Sequence, residues 1–324
     1  MTTVVGIDVS KKTLDICVLL ANGKQKEFQV ANTEEGFAQL LAKAKKCAVE
    51  QLHFCMEPSG VYHLGIAYHL IEQGCTVSLE NPRRIKYHGI SIGAMQKTDR
   101  ADARIIASYC AKNCPKPWVP ASPEIRDLML IDRRLCDVLR MVTQETNRLE
   151  SGRLPSVVRE SIEQVVRCLK EEEKSLRKQL IAIIESSEQL KRDYHLLRTI
   201  PGIGERAAIG FLAEVGDLSN YASAESLAAS FGLNPRIRRS GTSVHGQTRI
   251  SKMGNAHARS RFYMPALVAI VHNPLVKAFY ERLVARGKNK KGALVACCRK
   301  LVMIAYGVLK SGKPFKFEVQ PLTI

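Results

Sequence analysis

Four acids in this chain fall where they could work together. Asp8 stands in Val-Gly-Ile-Asp-Val-Ser, Glu57 in Cys-Met-Glu-Pro-Ser-Gly, and Asp99 and Asp102 in Lys-Thr-Asp-Arg-Ala-Asp-Ala-Arg. A spacing of three puts the last two on one face of a helix. Clustered carboxylates repel one another unless a cation holds them, and hard oxygen donors suit Mg²⁺, with Mn²⁺ as a substitute. Ions held this way stabilise the attacking and leaving oxygens when a phosphodiester is cut. Each acid also has a plainer reading. Asp99 or Thr98 could simply cap a helix, and Glu57 could be a surface residue at a strand end. Lys97, Arg100 and Arg104 lie around the aspartates and suit phosphate contacts, or form a solvated face.

A second constellation lies far downstream. Arg236, Arg238 and Arg239 precede Ser240-Gly241, and Thr242, Ser243 and His245 follow. A serine hydroxyl is a weak nucleophile, but a phosphodiester gripped by guanidiniums is a better electrophile. The same cations stabilise charge in the transition state. Taken alone, a Ser-Gly pair in a loop is usually a turn. Arg249, Lys252, Arg259 and Arg261 continue the basic surface. Tyr263 is an alternative nucleophile, although its apolar neighbours favour packing. Between the constellations, Leu197–Ala207 reads as a helix-hairpin-helix element. In its Pro-Gly-Ile-Gly turn, Gly202 and Gly204 let backbone N–H groups approach a phosphate. Such contacts position DNA without reading its sequence. The plainer reading is a core corner between two helices.

Elements must position these groups. Val4–Val9, Leu14–Leu20 and Glu27–Ala31 read as strands joined by turns at Lys11-Lys12 and Asn22-Gly23. Thr33–Lys46 has helical spacing with Thr33 as N-cap; Leu52–Met56 and Thr76–Leu79 read as strands, Tyr62–Gln73 and Thr98–Asn113 as helices. The order βββαβαβα is that of a ribonuclease H-like (RuvC-like) α/β domain over residues 1–115. There strands one and four are neighbours, so Asp8 and Glu57 stand side by side and the last helix brings Asp99 or Asp102 to them. Pro115, Pro117, Pro120 and Pro123 mark a linker into a helical segment, 116–193. Within it, Ile162, Val166, Leu169, Glu173, Leu176, Leu180 and Ile183 keep heptad steps, which suit an antiparallel hairpin or a dimerising coiled coil. A mostly α-helical domain, 194–324, follows.

Composition narrows the class. The chain has 324 residues, 45% hydrophobic and 25% charged, with a net charge of +18. That is globular composition. From Ser226 to Phe317 there are eighteen lysines and arginines against one acid, Glu281, so this stretch holds nearly all of the excess. Such asymmetry points to a bound polyanion. No apolar run reaches the ~18 residues of a membrane span, and the start lacks a secretory pattern. A cytoplasmic protein without a membrane partner is expected, its ten cysteines reduced. They contain no Cys-x-x-Cys pair, and Cys110 with Cys114 lacks a second ligand pair for zinc.

The segments Gly6–Lys11, Met56–Gly60, Lys97–Ala103, Ile200–Gly204 and Arg238–Gly246, with Lys-Ser-Gly-Lys-Pro-Phe near the end, resemble the DEDD transposases of insertion-sequence family one-ten. The likeness is collinear over essentially the whole chain. It implies a RuvC-like domain with Asp8, Glu57, Asp99 and Asp102 as the Mg²⁺-binding acids, and a C-terminal transposase domain with Ser240 as nucleophile. It also implies guidance by a structured noncoding RNA, the bridge RNA, that pairs with donor and target double-stranded DNA. The proteins similar to it act as dimers or tetramers, the acids of one subunit completing the serine site of another. Pro58 departs from the pattern, which has a small residue such as Ala after the glutamate; no ligand is lost.

The resulting expectation is a recombinase that cleaves and rejoins DNA through a phosphoserine intermediate. The rivals are a metal-dependent junction nuclease that uses water, with Ser240 structural, and a non-catalytic nucleic-acid-binding protein. A sugar-kinase relative of the scaffold would need a second copy of the domain and glycine-rich phosphate loops, which the sequence lacks.

Overall fold

The computed structural model describes residues 2–20, 22–47, 51–94, 99–236, 239–240, 244–245 and 249–317, with backbone alone at 99–100, 239–240 and 244–245. The chain divides into two compact units, Met1–Pro120 and Ala121–Ile324.

In the first unit, β1 (Thr2–Val9), β2 (Thr13–Leu19) and β3 (Gln25–Ala31) form an antiparallel meander. Helix α1 (Glu34–Lys45) leads to β4 (Gln51–Met56), α2 (His63–Glu72) to β5 (Thr76–Leu79), and α3 (Pro82–Ser91) and α4 (Asp99–Asn113) follow. β4 runs parallel to β1 and β5 parallel to β4, giving the strand order β3-β2-β1-β4-β5. Three antiparallel strands followed by parallel crossovers is the ribonuclease H-like order that the hydrophobic periodicity implies. Thr33 caps α1, its hydroxyl accepting the Gly36 N–H at 3.3 Å. Helix α3 is an addition to the expected order. Asn81 caps it and Pro82 opens it, but only Ile85 and Gly89 are buried, too few to make a periodic signal.

Alternation along the strands sorts two cores. Val5, Ile7, Leu14, Ile16, Phe54 and Met56 pack with Phe37, Leu40, Ile66 and Leu70 of α1 and α2. On the other face Val4, Cys17 and Cys55 meet Ile85, Ala103, Ile106 and Ala107 of α3 and α4. Gly6 lets α4 approach β1. A Cβ there would lie 2.3 Å from the Ala103 carbonyl oxygen and 2.4 Å from the Ala107 nitrogen. The unit continues past Pro115 because the Trp118 N–H donates to the Val77 carbonyl at 2.7 Å and its ring packs edge-on against Tyr68.

In the second unit, α5 (Pro123–Glu150) and α6 (Ser156–Glu185) are joined by five residues and pack along each other as an antiparallel hairpin. Of the heptad positions, Val166, Leu176 and Leu180 are buried, while Glu173 binds Arg177 at 2.9 Å. The pair shares one core with α7 (Glu188–Arg198), α8 (Glu205–Val215), α9 (Ala224–Ser230), α10 (Ala256–Arg261), α11 (Tyr263–His272), α12 (Pro274–Ala285) and α13 (Lys290–Ser311). The structure therefore places the helical segment inside the C-terminal unit rather than leaving it a separate 116–193 body. Phe211, Phe231 and Phe262 pack edge-on and tilted against one another in this core, with ring centroids 5.5 to 6.3 Å apart. Helix α13 is apolar and long enough to cross a bilayer, but it is a core helix, with Cys297, Leu301, Val302 and Ala305 fully enclosed. Between α9 and α10 lie two short ladders, β6 (Pro235–Arg236) with β9 (Arg249–Ile250), and β7 (Arg239–Ser240) with β8 (Val244–His245).

Candidate active site

Strand register assembles the acids of the first unit. Asp8 pairs with Asp15 across β1 and β2, and Ile7 lies beside Met56 across β1 and β4. Glu57, one residue past β4, therefore comes level with Asp8. Gly6 and Cys55 face α4, so by the two-residue period Asp8 and Glu57 face it as well. Helix α4, seated on Gly6 through Ala103 and Ala107, brings Asp102 to the same edge. Asp8, Glu57 and Asp102 are all half-buried. Burial pushes the Glu57 carboxyl above its usual range, and the charge of Asp102 pushes it further. The backbone of Asp99 opens α4, but its side chain lies outside the described residues.

Half-buried carboxylates, one of which raises the pKa of another, offer hard oxygens whose repulsion a divalent ion relieves, so the oxygen donors suit Mg²⁺ or Mn²⁺. Among the described residues, no three acid, histidine or cysteine side chains stand close enough to enclose an ion. Asp15, which sequence reasoning passed over, is buried on this face, and both its oxygens accept from Gln29 Nε2, at 3.1 and 2.9 Å. An acid within the apolar run Leu14-Asp15-Ile16 was the available signal. Of the cations expected nearby, Arg104 pairs with Glu27 at 3.1 Å. Lys97 and the Arg100 side chain lie outside the described residues.

The serine loop of the second unit rises from an anchored stem. Ser251 N–H donates to the Asn234 carbonyl at 2.8 Å, Lys252 N–H to Gly232 at 3.1 Å, and Asn255 N–H to Ser230 at 2.7 Å. Arg299 Nη1 bonds Asn234 Oδ1, and Asn255 Nδ2 bonds Glu214, a nearly enclosed acid that Arg133 also holds at 3.2 Å. On this stem Arg236 stands directly opposite Arg249, and both are exposed. Like charges directly opposite repel, and a bound anion would relieve them. Farther out, Ser240 pairs with Val244 and Arg239 with His245. The side chains of Arg239 and Ser240, and all of Arg238, lie outside the described residues.

Two arginines expected at nucleic acid have partners within the fold. Arg261 forms an ion pair with Asp132, the two side chains only 10% and 2% exposed, and so holds α10 to α5. Arg259 donates to the Phe231 carbonyl at 3.0 Å and braces the loop stem. Both read as surface cations because their partners are distant in sequence. Lys252 is exposed. Tyr263 opens α11 and is 39% exposed, not enclosed. The Pro201 turn joins α7 to α8. Gly202 has φ +103°, and a Cβ there would lie 2.6 Å from Ala269, so helix packing accounts for this glycine. Gly204 caps α8 with open space beside it.

One family model, described as Transposase, matches residues 5–152, and a second, described as Transposase IS116/IS110/IS902 family, matches 194–281. A pilin gene-inverting protein of Moraxella bovis is 33% identical over 316 residues, covering 97% of each chain. The transposase for insertion sequence element IS1111A of Coxiella burnetii is 25% identical, covering 97% of this chain and 91% of its own. Among solved structures, T. thermophilus RuvC bound to a Holliday junction substrate matches 36% of this chain and all of its own, with 18% identity and a TM-score of 0.28. The two family models and the Moraxella and Coxiella relatives define a DNA transposase, or recombinase, of the DEDD class. The chain belongs to the IS116/IS110/IS902 family of insertion-sequence transposases.

Proposed function

We propose that this transposase joins donor and target double-stranded DNA through a covalent bond to Ser240, guided by a bridge RNA. The observation that carries this reading is the anchored loop, whose stem sets Arg236 opposite Arg249 and which carries Ser240 on a ladder between them in the chain. Two guanidiniums without an acid between their strands suit a phosphodiester, and they strengthen it as an electrophile. Ser240 Oγ attacks phosphorus, the P–O bond of the DNA breaks, and the leaving oxygen takes up a proton. A hydroxyl of the second DNA then attacks the phosphoserine and releases the serine. Bond energy is conserved, so no nucleotide cofactor is consumed.

Asp8, Glu57, Asp99 and Asp102 would hold Mg²⁺, or Mn²⁺ in its place. The bound ion supplies charge neutralisation to the transferring phosphate. The Arg238 and Arg239 side chains, Lys252 and the Gly204 N–H extend the nucleic-acid surface, with Lys97, Arg100 and Arg104 serving the acid site. A guide RNA leaves the protein reading backbone and shape. The inverting relative named above is consistent with strand exchange. The work takes place on DNA in the cytoplasm by a dimer or tetramer, the acids of one subunit serving the serine of another.

The test is a denaturing gel of labelled donor and target DNA with protein, Mg²⁺ and RNA transcribed from the flanks of the element. Wild type should give a protein-linked band that vanishes with EDTA, with Ser240→Ala and with Asp8→Asn, while Ser240→Ala still binds nucleic acid. Cleavage without a linked band in either the wild type or Ser240→Ala would make water the nucleophile and Ser240 structural.

A further inference from the structure

Two ten-residue helices, α2 and α3, follow the two strands that run parallel to β1, and their outer surfaces differ. Helix α2 carries no lysine or arginine, and none of its large apolar side chains is exposed. Helix α3 carries Arg83, Arg84 and Lys86 and no acid. Its inner side is fixed: Ile85 is buried, Gly89 abuts Ile105 of α4, and His88 Nε2 lies 3.1 Å from the Ser108 hydroxyl. Arg84 is tied to Glu80 at 3.3 Å and lines a cleft of about 420 Å³ with Tyr109 and Lys116. That leaves Arg83, Lys86, Tyr87 and Ile90 pointing outward, with Tyr87 58% and Ile90 63% exposed.

A purely cationic helix face suits water or a duplex backbone, and a purely apolar one suits a protein. This face is both, and it needs a polyanion that also presents flat apolar surfaces. Unpaired nucleotides do so, whereas a duplex hides its base faces in the stack. Position favours the DNA strand at the acids. The Glu80 N–H donates to the Met56 carbonyl, so β5 ends level with β4 and α3 starts beside Glu57. In open α/β sheets ligands gather outside the carboxyl ends of the parallel strands. Helix α3 then packs against α4, the helix of Asp102.

We propose that the outer face of α3 binds single-stranded DNA flanking the phosphate held at the acids. In this arrangement Tyr87 stacks on a base, Ile90 extends the platform, and Arg83 and Lys86 hold phosphates. The inference rests on reading the acid edge as the place of strand cleavage.

The test is photo-crosslinking of the full-length protein to an unpaired oligodeoxynucleotide carrying 5-iododeoxyuridine, with adducts mapped by mass spectrometry. Adducts are expected on the peptide containing Tyr87 as well as on peptides from 226–317. Tyr87→Ala and the pair Arg83→Glu with Lys86→Glu should each lower the first set by about tenfold or more and leave the second unchanged. Unlabelled duplex should compete poorly for the Tyr87 adduct. Adducts confined to 226–317 would overturn the proposal while leaving a nucleic-acid enzyme intact. An RNA of the same sequence that crosslinks better than DNA at Tyr87 would give this face to RNA and overturn it too. No adduct anywhere would sink both this inference and the reading beneath it. All three changed positions are exposed, so a melting curve like that of wild type keeps a loss interpretable.

Discussion

The two constellations are held by different kinds of structure. Asp8, Glu57 and Asp102 sit on a strand, at a strand end and on a helix, and their meeting follows from register and from the missing side chain of Gly6. Ser240 sits on a two-residue ladder in a loop whose stem has polar and remote anchors: Arg299 on Asn234, Arg133 and Asn255 on Glu214, Arg259 on the Phe231 carbonyl. Periodic structure places the first group to within the pleat of a sheet. Individually satisfied charges place the second. Mutations should therefore damage the units in different ways: in the first through packing shifts that move the acids, in the second through orphaned charge.

The largest stability effect is expected at Arg261. Replacing it with Ala leaves the Asp132 carboxylate enclosed without its partner, and breaking a buried pair costs about 3–5 kcal/mol. Burial already raises the Asp132 pKa and Arg261 opposes that rise, so without Arg261 the folded-state value climbs further above the unfolded one. The loss is then least at low pH, where Asp132 is protonated in both states, and grows as pH rises through the folded value. Denaturant melts across pH would show it. The double change Arg261→Met with Asp132→Leu should recover most of the stability and leave the salt dependence of DNA binding unchanged. A salt slope shallower by about one unit in that double variant would instead return Arg261 to the phosphate contacts.

A smaller effect is expected at Gly6. The Cβ of Gly6→Ala falls against the backbone of α4, so the helix must move away from β1. Overpacking of this kind costs roughly 1–3 kcal/mol. Because α4 carries Asp102, strand cleavage should fall by more than the folded fraction does, which a gel assay at a temperature where the variant is fully folded can separate. Unchanged cleavage in a folded Gly6→Ala protein would mean that the acids do not depend on this register.

The same contrast decides what could be read from residues alone. The strands of the first unit announce themselves by alternation; Asp8 and Glu57 stand out because acids interrupt or end apolar runs, and Asp102 by its spacing of three from Asp99. Helix α3 stayed hidden because only Ile85 and Gly89 turn inward. The first unit runs on to Pro120 because Trp118 reaches back to Val77 and Tyr68, a contact that a proline-rich composition conceals. In the second unit the basic stretch is visible as charge, but charge does not reveal its partners. Arg261 and Asp132 are 129 positions apart, and Glu214 is 41 from Asn255. A count of cations therefore does not show that Arg259 and Arg261 also have partners within the fold.

The smallest effect is the one most specific to the acid edge. Burial raises the Glu57 pKa first, and the charge of Asp102 adds to it. In the metal-free protein the folded state is penalised when Glu57 ionises. That penalty is absent at low pH, enters as pH rises past the unfolded-chain value, and is complete above the folded value. A divalent ion needs the ionised carboxylate, so its affinity falls as pH drops through the raised value. The melting-point gain produced by Mn²⁺, measured on the full-length protein across pH, should therefore begin at a higher pH than an ordinary glutamate would give. Asp102→Asn removes one of the two causes, so the midpoint of that onset should move to lower pH even though the gain itself shrinks. If the midpoint stays where it is in wild type, Asp102 does not act on Glu57, and the acids would have to be assembled by something other than β4 and α4 meeting across Gly6.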